Sequence, residues 1–327
     1  MADKKKEKQN KNSVIIVGYL KENNLEKVSN PEKGDIIRGS LLIAVDESKS
    51  YKVEYYVPST TKDGESSQTY TDLLELLPES TTSIASFLKD NPGSDYEMAS
   101  NAADKVWASA RLEEFASESD GRSISLVKLK GFKAGFKTAT DASPFTPHAN
   151  FEETIYIKDI KKEITYADEN DEEGTETGRV IINGLIPVYD DSVYVVDFIA
   201  PTENNIADTI LSLYSKGDTV TIKGELVNIV KKVLQEEEEE EEFFGVPSGP
   251  QYRTIFINER VILGGSKNPI HQGEEGSITN AFVKEGLAKR LTKMKENGKK
   301  AASGKGSKGT TASKADTKKE FAEDMDF

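Results

Sequence analysis

One pattern occurs twice in the sequence, as IIRGSLLIAVDESKSYKVEYYVP at residues 36–58 and as IINGLIPVYDDSVYVVDFIAP at residues 181–201. Each copy begins with Ile-Ile-x-Gly and passes through apolar residues to an Asp and a Ser. Each then ends on a Tyr, an acidic residue, an aromatic residue and a Pro. Two runs with apolar alternation on either side of a polar turn are typical of a β-hairpin. The repeated pattern therefore predicts the same pair of strands in each half of the chain.

The similarity extends to both sides of these hairpins. A strand pattern precedes each hairpin, at residues 13–20 and 154–160, and two more strands follow each one. A helical pattern separates the third and fourth strands, at residues 70–88 and at 205–217, where Gly217 is predicted to cap the helix. This order is that of the oligonucleotide/oligosaccharide-binding barrel, or OB-fold. A duplicated OB unit is the favoured interpretation, and a generic β-sandwich in each half is the alternative.

The predicted fold class is all-β with minor α, with two tandem OB-fold barrels and disordered tails at both ends. From the N-terminus, the predicted segments are a disordered basic stretch at 1–11, a first OB-fold at 12–145 with a helical insert, a second at 150–265 with an acidic loop at 235–251, a basic flexible linker at 266–319 and an acidic tip at 320–327. Seven consecutive Glu in the acidic loop predict a solvated loop, or alternatively a lid that mimics a phosphate strand.

The predicted linker contains one possible short helix, at residues 277–297, followed by Gly, Lys, Ser and Ala in a composition typical of flexible linkers. The predicted apolar stripe of that helix consists of Ala281, Val283, Leu287, Leu291 and Met294.

Charge is distributed unevenly along the chain. The net charge is −14, with +3 at residues 1–11, +8 at 265–319, −4 in the last eight residues and therefore −21 at 12–264. An acidic body argues against attraction of nucleic acid by the overall field, so such binding needs a local basic groove. The absence of cysteine excludes disulfides and fits a reducing compartment, so a cytoplasmic location is predicted. No apolar run approaches the roughly 18 residues of a membrane span.

A basic and aromatic surface is predicted on the fourth strand of the first half, KVWASARLEE at residues 105–114. Strand alternation places Val106, Ala108, Ala110 and Leu112 on one face and the only Trp, Trp107, on the other, between Lys105 and Arg111. A partly exposed indole beside cations suits base stacking and phosphate contact, as in OB-fold proteins that bind single strands. A buried Trp107 is the alternative.

The next segment, LVKLKGFKAGFKT at residues 126–138, interleaves two phenylalanines with lysines. These rings are predicted to stack on bases, or alternatively to pack against the barrel. Tyr51 and Tyr55 alternate with Val53 and suit the core, whereas Tyr56 suits the surface. The predicted DNA-binding residues are Arg38, Lys52, Tyr56, Lys105, Trp107, Arg111, Lys128, Lys130, Phe132, Lys133, Phe136, Lys137 and Lys223. The second half replaces Trp107 with Thr221 and Arg111 with Glu225, so we expect it to contribute less.

Residues suited to catalysis are scarce, and neither an enzymatic activity nor a cofactor or metal is predicted. GKGSKG at 304–309 matches a dinucleotide fingerprint but lacks the strand and helix that this motif requires. His148 and His271 lie in predicted loops without ligand spacing. Asp190 and Asp191 occupy a predicted turn, where Asp is common. An enzyme subunit that uses these two aspartates with magnesium remains an alternative.

The C-terminus, KKEFAEDMDF, combines acidic residues with a terminal Phe after a low-complexity ribbon. Together with the OB-like repeats, this end resembles single-stranded DNA-binding proteins of the bacterial and phage type. The resemblance implies that the chain coats single-stranded DNA in replication or recombination and recruits other proteins through its tip, as a phage replication protein. The partner-binding residues it implies are Phe321, Glu323, Asp324, Met325, Asp326 and Phe327.

Two features depart from that family, since its bacterial members carry one barrel and a Pro before the final Phe. A β-rich structural or adaptor protein that does not bind nucleic acid is therefore the alternative function.

Overall fold

The computed structural model describes residues 12–30, 34–61, 63–119, 122–138, 144–165, 174–234 and 252–304. The first half contains β1 (Asn12–Asn23), β2 (Glu26–Asn30), β3 (Gly34–Ala44), β4 (Ser50–Pro58), α1 (Gln68–Leu74), α2 (Ile84–Asp90), α3 (Tyr96–Ala102), β5 (Lys105–Ser119) and β6 (Arg122–Phe136). The second half contains β7 (His148–Thr165), β8 (Thr175–Pro187), β9 (Val193–Ala200), α4 (Ile206–Leu213), β10 (Thr219–Leu234), β11 (Tyr252–Gly265) and α5 (Asn280–Gly304). The prediction of a mostly β chain is confirmed.

Strand pairing closes into a ring in each half. In the first half, β1 pairs with β3 and β5, β3 pairs with β4, and β5 pairs with β6, all antiparallel. A parallel contact between β4 and β6, at Val53 and Leu129, completes the ring. In the second half, β7, β8, β9, β11 and β10 pair in the same order, and the parallel contact joins Ile199 to Val261. The repeat in the sequence thus corresponds to a repeat in strand pairing.

The two rings share one continuous eleven-stranded sheet, because β1 also pairs with β7. Side chains of the first half also bond to the backbone of the second: the Tyr51 hydroxyl donates to the carbonyl of Leu226. In the other direction, the Asn228 amide donates to the carbonyl of Ser50 at 2.9 Å. The surface of one half therefore continues directly into the surface of the other.

Short helices fill the gap between the third and fourth strand of each ring. Residues 70–88, predicted as one helical insert, divide between α1 and α2, because Ser83 forms a capping box with Ser86 that starts a new helix. In the second half, α4 ends at Leu213 and is capped by Tyr214, so the prediction that Gly217 caps this helix is wrong. Gly217 instead lies in the following turn with a φ of 94°.

Helix α5 agrees with the predicted short helix at 277–297, but it is docked on the sheet, whereas the prediction placed it in a flexible linker. The helix packs on β5 and β9, with Val283, Leu287 and Met294 buried, whereas Ala281 is exposed although it was predicted to share that stripe. The Arg290 guanidinium donates to both oxygens of the buried Glu114 carboxylate at 2.7 and 2.8 Å. In the described residues, no helix is long and apolar enough to cross a membrane. The predicted N-terminal tail, acidic loop and tip lie outside the described residues.

Candidate nucleic-acid interface

The outward face of β5 carries the predicted aromatic and basic side chains. The inward residues Val106, Ala108, Ala110 and Leu112 are at most 2% exposed, which confirms the alternation. The residues between them, Lys105, Trp107, Ser109 and Arg111, are all partly exposed. The indole of Trp107 therefore lies outside the core.

Trp107 packs against the neighbouring strand at a position where that strand has a glycine. Gly135 on β6 is directly opposite Trp107, and a Cβ added to Gly135 would lie 3.0 Å from the indole Nε1. The preceding glycine of the same motif acts differently, since a Cβ on Gly131 would collide with the ring of Tyr55 at 2.3 Å. Gly135 thus makes room for the indole of Trp107 on the outward face, and Gly131 makes room for the aromatic ring of Tyr55 on the inward face.

A bulge explains how two glycines four residues apart serve opposite faces. Ser109 pairs with Lys133, but Ala110 pairs with Gly131, so Phe132 is an extra residue that shifts the register. Phe132 is 42% exposed at this bulge. Phe136 is 40% exposed at the end of β6, opposite the inward Val106, and therefore lies at the mouth of the ring rather than beside Trp107.

Four of the predicted DNA-binding cations are paired with carboxylates. Their ion pairs are Arg38–Glu26 at 2.6 Å, Lys52–Glu54 at 3.8 Å, Lys128–Glu54 at 3.0 Å and Lys223–Glu152 at 3.5 Å. Lys128 also approaches Glu113 at 3.9 Å and lies over the ring of Phe115 at 4.9 Å. Exposed pairs of this kind contribute only about 0–1 kcal/mol, so a phosphate can compete for their lysines.

The remaining predicted cations have no carboxylate within ion-pair distance among the residues described here. These cations are Lys105, Arg111, Lys130, Lys133 and Lys137. On the outward face, Lys133 is opposite Ser109 and Lys130 is opposite Arg111, so cations follow Trp107 along the β5–β6 pair. These cations form a row along the outward face of β5 and β6, in which Lys130 also lies near the Glu54 carboxylate.

The tyrosines of β4 divide between the core and the surface as predicted. Tyr51 and Tyr55 are each 3% exposed, and burial raises the pKa of Tyr51 to about 12. Tyr56 is 47% exposed and lies opposite Arg38 on β3. The parallel contact between β4 and β6 brings Glu54 opposite Lys130, so the surface of Tyr56 adjoins the surface of Trp107.

Two aromatic rings near these cations were missed by sequence reasoning: the partly buried Phe145 and the exposed Tyr189. Phe145 lies under Lys105, with Nζ 5.0 Å from the ring centroid, and packs edge-on against Tyr19 at 5.1 Å. Tyr189, in the turn between β8 and β9, lies beside Arg111, with Cζ 5.9 Å from the ring centroid. The segment Pro-Phe-Thr-Pro at 144–147 was a local signal for the first ring. No local signal connects Tyr189 to Arg111, because they belong to different halves.

The corresponding face of the second half is different in chemistry. On β10, Thr221 takes the place of Trp107, and its hydroxyl lies 3.1 Å from that of Thr154. Lys223 is paired with Glu152, and Glu225 is exposed where the first half has Arg111. This face has neither a stacking ring nor an unpaired cation at the matching positions.

The residues considered for catalysis or metal binding have protein partners. Lys293 donates to Asp190, and Lys289 lies 3.7 Å from Asp191, so helix α5 supplies a cation to each aspartate. His271 Nδ1 lies 2.8 Å from the Asp218 carboxylate, and this hydrogen bond raises the pKa of His271. Within the described ranges, no group of three or more His, Cys, Asp and Glu side chains is placed to hold a metal.

The chain matches one family model and is distantly similar to several solved structures, among them two of one protein. A family model described as YorF matches residues 10–300. A crystal structure of the wild-type single-stranded DNA binding protein from Thermus aquaticus is similar with a TM-score of 0.38 and 15% identity, covering 79% of this chain and 92% of that chain. A deletion mutant of the same protein gives a TM-score of 0.40 and 14% identity, covering 79% and 94%. No curated protein matches the chain.

Proposed function

The chain belongs to the YorF family, and we propose that it is a non-enzymatic protein that binds single-stranded DNA through the outward face of β5 and β6. We also propose that each ring of strands is an OB-fold barrel, so that the first barrel supplies the main contacts. The observation that carries the proposal is the partly exposed Trp107, seated over Gly135 and followed by the unpaired Lys133, Arg111 and Lys130.

This arrangement supports binding that depends little on sequence. A base can stack on the exposed face of the indole, because every base has a π-face, and each such contact is worth roughly 1–3 kcal/mol. Lysines and arginine next to the ring can contact the phosphates on both sides of the stacked base. The exposed Phe132 at the bulge offers a further ring on the same strand pair.

In the cell, the protein would protect single-stranded DNA during replication or recombination, in the cytoplasm of a bacterium or of a phage-infected host. The acidic tip at 320–327 would recruit partner proteins, with Phe327 as its apolar anchor. Many tips on one coated strand raise the local concentration of such partners. Deletion of 320–327 is expected to leave DNA affinity equal or higher and to abolish partner binding.

Fluorescence of the only Trp in the chain provides the direct test. Oligo(dT) is expected to quench the emission of Trp107, and the affinity is expected to fall steeply with added salt, because lysines release counterions from the phosphates. A gel-shift series with single-stranded DNA, duplex DNA and RNA of equal length establishes the preference. No quench and no shift at low salt would overturn the proposal.

The ion pairs favour a second function, that of a β-rich structural or adaptor protein. Arg38, Lys52, Lys128 and Lys223 already contact carboxylates, and the chain carries a net charge of −14. A surface of internal ion pairs suits contact with another protein. This alternative predicts no nucleic-acid affinity at any salt concentration and retention of the chain in a protein assembly.

A further inference from the structure

Tyr189 is an exposed ring of the second half that the proposed contact surface does not yet use. Its side chain is 82% exposed in the turn between β8 and β9. Backbone hydrogen bonds hold this turn: Val188 donates to Ser192 at 2.9 Å, and Asp191 donates to Val188 at 3.0 Å. A ring that is both exposed and carried by a hydrogen-bonded turn loses little backbone entropy when a base stacks on it.

Tyr189 lies close to the outward face of β5 in the first half. The Arg111 guanidinium lies 5.9 Å from its ring centroid, and Arg111 shares the outward face of β5 with Trp107. A cation over one side of a tyrosine ring leaves the other side available to a base. The row that begins at Trp107 thus continues through Arg111 to a second ring.

The two carboxylates of this turn would repel a phosphate strand, but helix α5 places a lysine beside each of them. Lys293 donates to Asp190 and also to the Ser192 hydroxyl at 3.0 Å, while Lys289 lies 3.7 Å from Asp191 and 2.8 Å from Glu285 of its own helix. Burial alone would raise the pKa of Asp190, but the hydrogen bonds from Lys293 and Ser192 outweigh it and lower the pKa to about 2. The ring of Tyr189 is therefore next to ion pairs rather than free anions.

We propose that Tyr189 is a second stacking position for the same DNA strand, reached from Trp107 across Arg111, and that Lys289 and Lys293 of α5 make this turn accessible to phosphates. The inference rests on the proposed binding of single-stranded DNA and adds the direction in which the strand leaves the first half. It also gives the docked helix a role in binding that a flexible linker would not have.

The length of the bound oligonucleotide can distinguish stacking on Trp107 from stacking on Tyr189. Trp107 and Arg111 are four residues apart on β5, or roughly 13 Å. Because stacked nucleotides are spaced about 3.4 Å apart, roughly four nucleotides are needed before a strand from Trp107 approaches Tyr189. An oligonucleotide of about two residues is too short to span this distance and reaches one ring, whereas one of about 16 residues reaches both.

The test measures the affinity of the full chain for labelled oligo(dT) of these two lengths by fluorescence anisotropy. Tyr189→Ala is expected to leave the affinity for the short oligonucleotide unchanged and to weaken the long one about tenfold. Tyr189→Phe keeps the ring and is expected to bind both lengths like the unchanged protein. Trp107→Ala is expected to weaken both lengths.

A pair of lysine variants tests the part assigned to helix α5. Lys293→Ala is expected to weaken the long oligonucleotide only, whereas Lys295→Ala, an exposed lysine of the same helix, is expected to change neither length. Equal effects of Tyr189→Ala at both lengths, or none at either, would overturn the second stacking position while Trp107→Ala still supports the first. No binding by the unchanged protein would overturn the proposed function itself.

Discussion

The outward faces of β5 and β10 occupy matching places in two rings of the same pairing order, yet they differ in chemistry. Their inward residues are alike, since Val106 and Ala108 are buried on β5 as Val220 and Ile222 are on β10. On the outward side, the first half presents the indole of Trp107 and cations without an ion-pair partner. The second half presents threonine hydroxyls and a lysine that is paired with a carboxylate. The apolar alternation specifies the ring of strands, and the outward residues are free to specify what it binds.

Matched substitutions at Trp107 and Thr221 give the largest expected difference between the halves. Trp107→Ala is expected to weaken binding of oligo(dT) by about 1–3 kcal/mol, or about 5- to 150-fold, because one stacked base is lost. Thr221→Ala removes only a hydroxyl pair and is expected to leave binding unchanged. Anisotropy titrations measure both, and circular dichroism shows whether each variant folds. A larger loss from Thr221→Ala would place the main contact in the second half.

The interior of the second half contains a buried carboxyl group, that of Glu153 on β7. It lies on the same face as the core residues Phe151 and Ile155, is fully buried, and makes no side-chain hydrogen bond of normal geometry. Burial raises the pKa of Glu153 well above its usual value, and Arg260 offsets this only in part. The charged form of this carboxyl therefore opposes folding of the second half.

Glu153→Met is expected to raise the free energy of unfolding at neutral pH by about 1–3 kcal/mol, since a buried unsatisfied polar group is removed. Because the pKa of Glu153 is raised in the folded state, its protonated carboxyl group contributes full stability at pH values below the pKa of the unfolded state, about 4.5. This contribution is lost as the pH rises through the folded-state pKa. The advantage of the variant should therefore grow from pH 5 to pH 8 in urea titrations. An advantage that shrinks over this range would contradict the assignment.

Substitution of two matched glycines tests whether the packing of the Trp107 indole on Gly135 affects DNA binding. A Cβ on Gly135 would press on Trp107 at 3.0 Å, whereas a Cβ on Gly264, on β11 beside β10, would meet nothing within 4 Å. Gly135→Ala is expected to shift the emission of Trp107 and to weaken binding by up to about 1 kcal/mol, or about fivefold. Gly264→Ala is expected to do neither. Unchanged emission in Gly135→Ala would show that the indole of Trp107 accommodates the added methyl group without a change of environment.

The sequence predicted those features of the fold that depend only on residues close together in the chain, namely the strands and their inward and outward faces. The alternation at 105–112 and the repeat of hairpins needed only period-two spacing, and both agree with the strands observed. Contacts between distant residues were not visible: Lys128 meets Glu54 from 74 residues away, and Tyr189 meets Arg111 from the other half. Helix α5 was read as part of a linker because its buried partner, Glu114, is 176 residues from Arg290.

The smallest expected effect separates local contacts from overall charge. Burial would raise the pKa of Glu54, but the hydrogen bond from Lys128 and the charges of Lys128, Lys52 and Lys130 together outweigh it and lower the pKa, so this carboxylate holds its lysine at neutral pH. Glu54→Gln removes the nearer carboxylate partner of Lys128 and leaves Glu113 at 3.9 Å, so it is expected to raise affinity by about 0.2–1 kcal/mol, the worth of an exposed ion pair. The slope of affinity against salt should also steepen by about one phosphate contact.

Glu152→Gln is the matched control, because it removes the same charge from the chain and weakens the hold on Lys223 in the second half. No ring adjoins that lysine at the matching position, so a phosphate that pairs with it gains no stacked base beside it. We therefore expect no change in affinity or salt slope from this variant in the same anisotropy titrations. An equal gain from both variants would mean that the DNA responds to net charge alone, and the two outward faces would then not differ in function.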